Sequence, residues 1–165
     1  MVVNEALSVV THPTTDDFAD FYRREYEHAV RLAWLLTGSK AAAEDVVQNA
    51  MAEVYRARDR IESPEAYLRR SVVNRGRSWR RDEWRQRDRS TLLAQQPGEP
   101  VLEGSDAELL DAVRRLPYRQ RVVIVARYWG GWSEAEIART LGCKPGTVKS
   151  LASRALDRLR KEVPQ

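Results

Sequence analysis

Nine arginines fall within residues 66–89: Arg69, Arg70, Arg75, Arg77, Arg80, Arg81, Arg85, Arg87 and Arg89. Asn74, Trp79 and Trp84 are interleaved with them. Such cations hold phosphates, and aromatic rings stack on unpaired bases for ~1–3 kcal/mol per base. Trp79 can also serve as core beneath a basic face. A second polar set lies further along: Lys144, Thr147, Lys149, Ser150, Ser153 and Arg154. Short hydroxyls and long cations read base edges and hold phosphates in a duplex groove. The chemistry is therefore binding, not bond-making. The sequence has no glycine-rich phosphate loop, no metal-ligand cluster and no nucleophile paired with a histidine. No catalytic residue, metal or cofactor is expected, and His12 and His28 are assigned no site. The one cysteine, Cys143, excludes an internal disulfide and a multi-cysteine zinc site. It reads as a small buried filler.

The chain has 165 residues and a formal net charge of +4. That small excess is made of blocks. Residues 1–65 carry 7 bases and 12 acids, net −5; residues 66–89 carry 9 arginines and 3 acids, net +6. Residues 90–113 carry no base and 5 acids, net −5; residues 114–165 carry 12 bases and 4 acids, net +8. Two separated basic blocks attract phosphate backbones. No unbroken apolar run is longer than Val122 to Ala126, which falls far short of the ~20 residues of a membrane span. No secretory signal is expected.

The elements that must position these residues are helical. Phe18, Phe21, Tyr22, Tyr26, Ala29, Val30, Ala33 and Trp34 follow one helix face, and Ala43, Val46, Val47, Ala50, Met51, Val54 and Tyr55 another. Gly38 suits the first helix end and Ser39 the next cap. Ser63-Pro64 starts a third helix. Residues 90–104 lose the period and read as an exposed, flexible linker. Ser105 to Glu108 and Ser133 to Glu136 read as capping boxes. Tyr118 to Trp129 is predicted as one helix ended by Gly130-Gly131, with Trp129 and Trp132 in the core. A helix over Glu134 to Leu141, a turn at Gly142 and a helix from Pro145 have helix-turn-helix proportions. The expected fold is all-α: a tail over 1–17, a helical bundle over 18–89, a linker over 90–104, and a helix-turn-helix domain over 105–165.

Several motifs stand in order. They are Ala43-Glu44-Asp45-Val46-Val47-Gln48, Pro64-Glu65-Ala66-Tyr67-Leu68 with Asn74, and Trp79-Arg80-Arg81. Leu116-Pro117, Arg119-Gln120-Arg121, Ser133 to Ala138, and Gly146-Thr147-Val148-Lys149-Ser150 follow. In this order the chain resembles the group IV, or extracytoplasmic-function (ECF), sigma factors of bacterial RNA polymerase, with an actinobacterial flavour. The first block resembles sigma region 2 and the second region 4.

The resemblance implies roles position by position. Glu44, Asp45, Gln48 and Asn49 would dock on core RNA polymerase. Arg58, Asp59, Arg60, Glu62 and Ser63 would line the loop that captures a flipped base of the −10 strand, an extrusion costing a few kcal/mol. Asn74, Arg77, Trp79, Arg80 and Arg81 would follow the −10 DNA. Arg127, Lys144, Thr147, Lys149, Ser150, Ser153 and Arg154 would face the −35 duplex. Ser78, Leu151 and Ser153 depart from common family residues and leave the −35 preference unassigned. The implied partners are core RNA polymerase (β′ clamp and β flap), promoter DNA and an anti-sigma factor, in the cytoplasm, with no small-molecule substrate and no membrane insertion. Two other functions remain open: a stand-alone helix-turn-helix regulator, and a sigma mimic that titrates an anti-sigma factor.

Overall fold

The computed structural model describes residues 15–89 and 105–163. The expected linker over 90–104, and all but the last three residues of the expected tail, lie outside them. Helix α1 spans Thr15–Thr37, α2 Lys40–Ala57 and α3 Pro64–Arg89. After the linker come α4 (Ser105–Arg115), α5 (Tyr118–Ile124), α6 (Glu134–Leu141) and α7 (Pro145–Glu162). No strand occurs among the described residues.

Local chemistry sets the helix boundaries. Gly38, at φ 80°, closes α1, and Ser39 caps α2 by accepting from the Ala42 amide. The Ser63 hydroxyl accepts from the Ala66 amide at the start of α3. Ser133 and Glu136 form a reciprocal capping box on α6, and Gly142 ends that helix at φ 61°. Glycine adopts these left-handed angles without the steric cost other residues meet. Ser105 is already inside α4.

The apolar stripes then meet. Ala33, Leu36, Val47, Ala50, Val54 and Val72 close the α1–α2–α3 bundle. Val123, Ala126, Ile137, Val148, Ala152 and Ala155 close the α4–α7 unit. A fully buried Val or Leu contributes about 1.5–3 kcal/mol. The span from Tyr118 to Trp129 departs from the single helix expected there. It is α-helical to Ile124 and then makes one π turn, Val125–Trp129. Gly130 donates to the Val125 carbonyl at 2.9 Å, and Trp132 to that of Ala126 at 2.9 Å. The π turn is the last turn before Gly130, so too few residues follow it for a shift of period to show in the sequence. Tyr128 and Trp129, both on this turn, face outward. Trp129, expected in the core, is 41% exposed, while Trp132 is buried at 7%.

The two units pack into one continuous core. The Arg121 side chain is completely buried between them. Its Nη1 donates to the Leu36 carbonyl at 2.6 Å and its Nη2 to that of Leu116 at 3.4 Å. These carbonyls lie at the C-terminal ends of α1 and α4, where backbone acceptors lack helical partners and the helix dipole is negative. Two helix ends thus offset a buried cation. Burial, followed by the nearby Arg80, pulls the Arg121 pKa down to about 9, so it stays charged at neutral pH. The Tyr118 hydroxyl donates to the Val73 carbonyl of α3 at 2.7 Å. Arg69 of α3 pairs with Glu136 of α6 at 3.1 Å and lies over the Trp132 ring at 5.1 Å.

Candidate nucleic-acid interface

Three surfaces carry the residues singled out from the sequence. On α7, Val148, Ala152, Ala155 and Leu159 face inward. The helical period therefore puts Thr147, Lys149, Ser150, Ser153 and Arg154 outside, and all are exposed, as is Lys144. The Ser150 hydroxyl donates back to the Gly146 carbonyl at 3.1 Å. Arg127 is half-buried on the π turn, and its Nη2 meets Glu134 Oε2 at 3.1 Å. Glu134 Oε1 also lies 3.9 Å from Lys149 Nζ. Arg127 and Lys149, distant in sequence, share one carboxylate that the sequence reading did not assign.

On the first unit, the α2–α3 loop holds Arg58, Asp59, Arg60, Glu62 and Ser63. Asp59, Arg60, Glu62 and Ser63 are exposed. Arg58 is half-buried: its guanidinium lies 4.1 Å from the centre of the Tyr55 ring, and its Nη1 donates to the Tyr55 carbonyl at 2.6 Å. Tyr55 packs edge-on against Phe18 at 5.0 Å and stays 38% exposed. The loop thus sits beside a ring already covered by a cation, an aromatic that helical spacing had put on the apolar face of α2. Along α3, Asn74, Arg77 and Arg81 are exposed. Arg80 and Trp79 are half-buried, Trp79 packing against the core.

Two arginines of the α3 run are drawn away from the exposed face. Arg69 turns to the second unit, as described above. Arg75 bonds Glu53, which also accepts from the Ser71 hydroxyl. Burial pushes the Glu53 carboxyl up, but the hydrogen bonds from Arg75 and Ser71 outweigh it and hold it below its usual range. The basic block therefore divides into structural and outward-facing cations.

The third surface is acidic and lies on α2. Ala43, Val46, Val47 and Ala50 are buried, which turns Asp45, Gln48 and Asn49 outward, with Glu44 half-buried beside them. Asn49 Nδ2 donates to the Asp45 carbonyl at 2.8 Å. Cys143, in the turn before α7, is half-buried against the core. Among the described residues no group of acidic, histidine and cysteine side chains is placed to hold a metal, and no helix is long and apolar enough to cross a membrane.

Comparisons with known proteins agree with this geometry. Residues 21–86 match sigma-70 region 2, and residues 106–159 match sigma-70 region 4. The chain is 34% identical to the RNA polymerase sigma-E factor of Streptomyces coelicolor, over 89% of this chain and 86% of the relative. It is 35% identical to the ECF RNA polymerase sigma factor SigL of Mycobacterium tuberculosis, over 81% and 83%. The structure of the Bartonella quintana sigma factor RpoE, solved in complex with the anti-sigma factor NepR, superposes with a TM-score of 0.74 at 25% identity. That match covers 88% of this chain and 96% of the other. Both blocks, in order, place the chain in the ECF branch of the sigma-70 family of RNA polymerase sigma factors.

Proposed function

We propose that the chain binds core RNA polymerase and directs it to promoters, reading the −35 duplex with α7 and the −10 strand with the α2–α3 loop and α3. The carrying observation is the outward set on α7: Thr147, Lys149, Ser150, Ser153 and Arg154 exposed above a fully packed underside. A helix of this kind inserts its N-terminal turns into the major groove. Asn74, Arg77 and Arg81 offer a second cationic face, and the exposed Asp45 with half-buried Glu44 on α2 suits a protein partner better than DNA. On this reading the units are 18–89 and 105–165, no covalent chemistry is performed, and the protein works in the cytoplasm. An anti-sigma factor is a further partner, as NepR is for the Bartonella RpoE.

The docked arrangement bears on this function. The −35 and −10 elements are about 25 base pairs apart, roughly 85 Å at ~3.4 Å per base pair. A folded chain of this length has a radius of gyration of about 15 Å. The two units must therefore part before both elements can be read together.

Run-off transcription tests the reading. The chain plus core polymerase on a promoter library should yield transcripts from a defined subset. If the chain instead binds a palindromic operator alone and leaves polymerase selectivity unchanged, the reading fails and the stand-alone regulator takes its place. If it binds an anti-sigma factor but neither polymerase nor promoter, the titrating mimic replaces it.

A further inference from the structure

The DNA-facing surface of the second unit contains a carboxylate. Glu134 is the first residue of α6, and the capping box of Ser133 and Glu136 fixes the backbone there. Its side chain is 26% exposed. One oxygen takes Arg127 from the π turn at 3.1 Å; the other faces Lys149 on α7 at 3.9 Å. Lys149 is 73% exposed, so the shared carboxylate borders the face that α7 would offer to a duplex. Arg127 sits on the π turn, and its side chain crosses from there to α6.

Exposed ion pairs contribute little to stability. The value of this one lies elsewhere. An anion beside a phosphate-seeking surface repels every duplex alike, because phosphates are the same in all sequences. A base edge that accepts a hydrogen bond in the right place can still draw Arg127 or Lys149 from the carboxylate. We propose that Glu134 is a positioning and specificity-determining residue. It holds Arg127 by a hydrogen bond, screens the positive charge of the nearby Lys149, and suppresses binding to arbitrary DNA. This inference rests on the proposed −35 role of α7.

The test uses the full chain. A duplex is first selected from a random-sequence promoter pool by the wild-type chain with core polymerase. Equilibrium binding of the chain to that duplex and to a scrambled one is then measured across a salt series. Glu134→Gln keeps the shape and removes the charge. It should bind the scrambled duplex several-fold more tightly and steepen the salt dependence by about one phosphate contact. The selected-to-scrambled ratio should fall by a similar factor. In a Lys149→Ala background the effect of Glu134→Gln should shrink, because one of the two cations that the carboxylate screens is gone. Circular dichroism checks that each variant keeps its helices, and Glu134→Asp, which keeps the charge, should restore weak binding to the scrambled duplex. An unchanged ratio overturns the proposal, as does an effect undiminished in the Lys149→Ala background. If no sequence is enriched by the wild-type chain, the −35 role falls and this inference with it; if one is enriched and Glu134→Gln behaves as wild type, this inference alone falls.

Discussion

Gly76→Ala sets two effects of opposite sign against each other. Gly76 lies inside α3, and a Cβ there would stand 2.7 Å from the Tyr118 hydroxyl oxygen and 3.9 Å from Leu36 Cβ. Within the first unit alone, alanine in a helix interior is favoured over glycine by roughly 0.5–1 kcal/mol. Across the interface the change is unfavourable. The clashing atom ends a rigid ring held by its bond to the Val73 carbonyl, and burial raises the Tyr118 pKa, so the hydroxyl keeps its proton. Moving the ring loses that hydrogen bond, worth about 0.5–1.5 kcal/mol. Overpacking a filled site costs typically ~1–3 kcal/mol. The docked state should therefore lose a few kcal/mol while the first unit gains up to about one. Small-angle scattering should show a larger radius of gyration than wild type, and amide exchange in α5 should accelerate. Adding Tyr118→Phe removes the clashing oxygen and should restore much of the docking. Transcription should reach half-maximum at a lower concentration of the Gly76→Ala chain, because opening then costs less. If the variant melts higher, with scattering and exchange unchanged, the Tyr118 contact does not hold the units together.

Lys149→Ala and Arg154→Ala should each weaken binding to a selected −35 duplex, by ~1–3 kcal/mol where a bidentate base contact is lost; equal affinity in a titration would refute the assignment. Asp45→Lys should impair capture by core polymerase in a pull-down while leaving duplex binding by the same chain intact. Ser133→Ala removes one half of the α6 capping box and should cost about 1 kcal/mol, read as a lower melting temperature. The Ser133 backbone amide, then its side chain, then Arg69 hold the Glu136 carboxyl below its ordinary value of 4.5. A depressed carboxylate stabilises the fold above that value, and the contribution fades as pH falls through the lowered one. Glu136→Gln should therefore flatten the acid limb of a pH–stability curve below about pH 4.5.

Much of the fold was legible in residue order. Gly38, Ser39, Ser63-Pro64, Ser133-Glu136 and Gly142 mark helix ends because caps and left-handed turns depend on a few neighbouring atoms. The faces of α1, α2 and α7 were legible because a 3.6-residue period sorts inside from outside. The π turn was not, since it is the last turn of its helix and too few residues follow it for a shift of period to show; Trp129 on that turn is exposed. The arginine run was legible as a basic block but not in its division. Nothing local separates Arg69 and Arg75, drawn to Glu136 and Glu53, from exposed Arg77 and Arg81.

By itself the sequence determined the all-α class, the order of the two helical blocks, the alternating acidic and basic stretches along the chain and the outward polar set on α7. These follow from properties that act over a turn or two of chain. Only the tertiary structure decided how the blocks meet. Arg121, unremarkable among 28 bases, becomes a wholly buried cation between the ends of α1 and α4. Glu134 becomes the shared partner of Arg127 and Lys149. Both outcomes depend on which carbonyl or carboxylate packing brings within about 3–4 Å of a cation. Residues far apart in the chain acquire that proximity only when the apolar faces have closed.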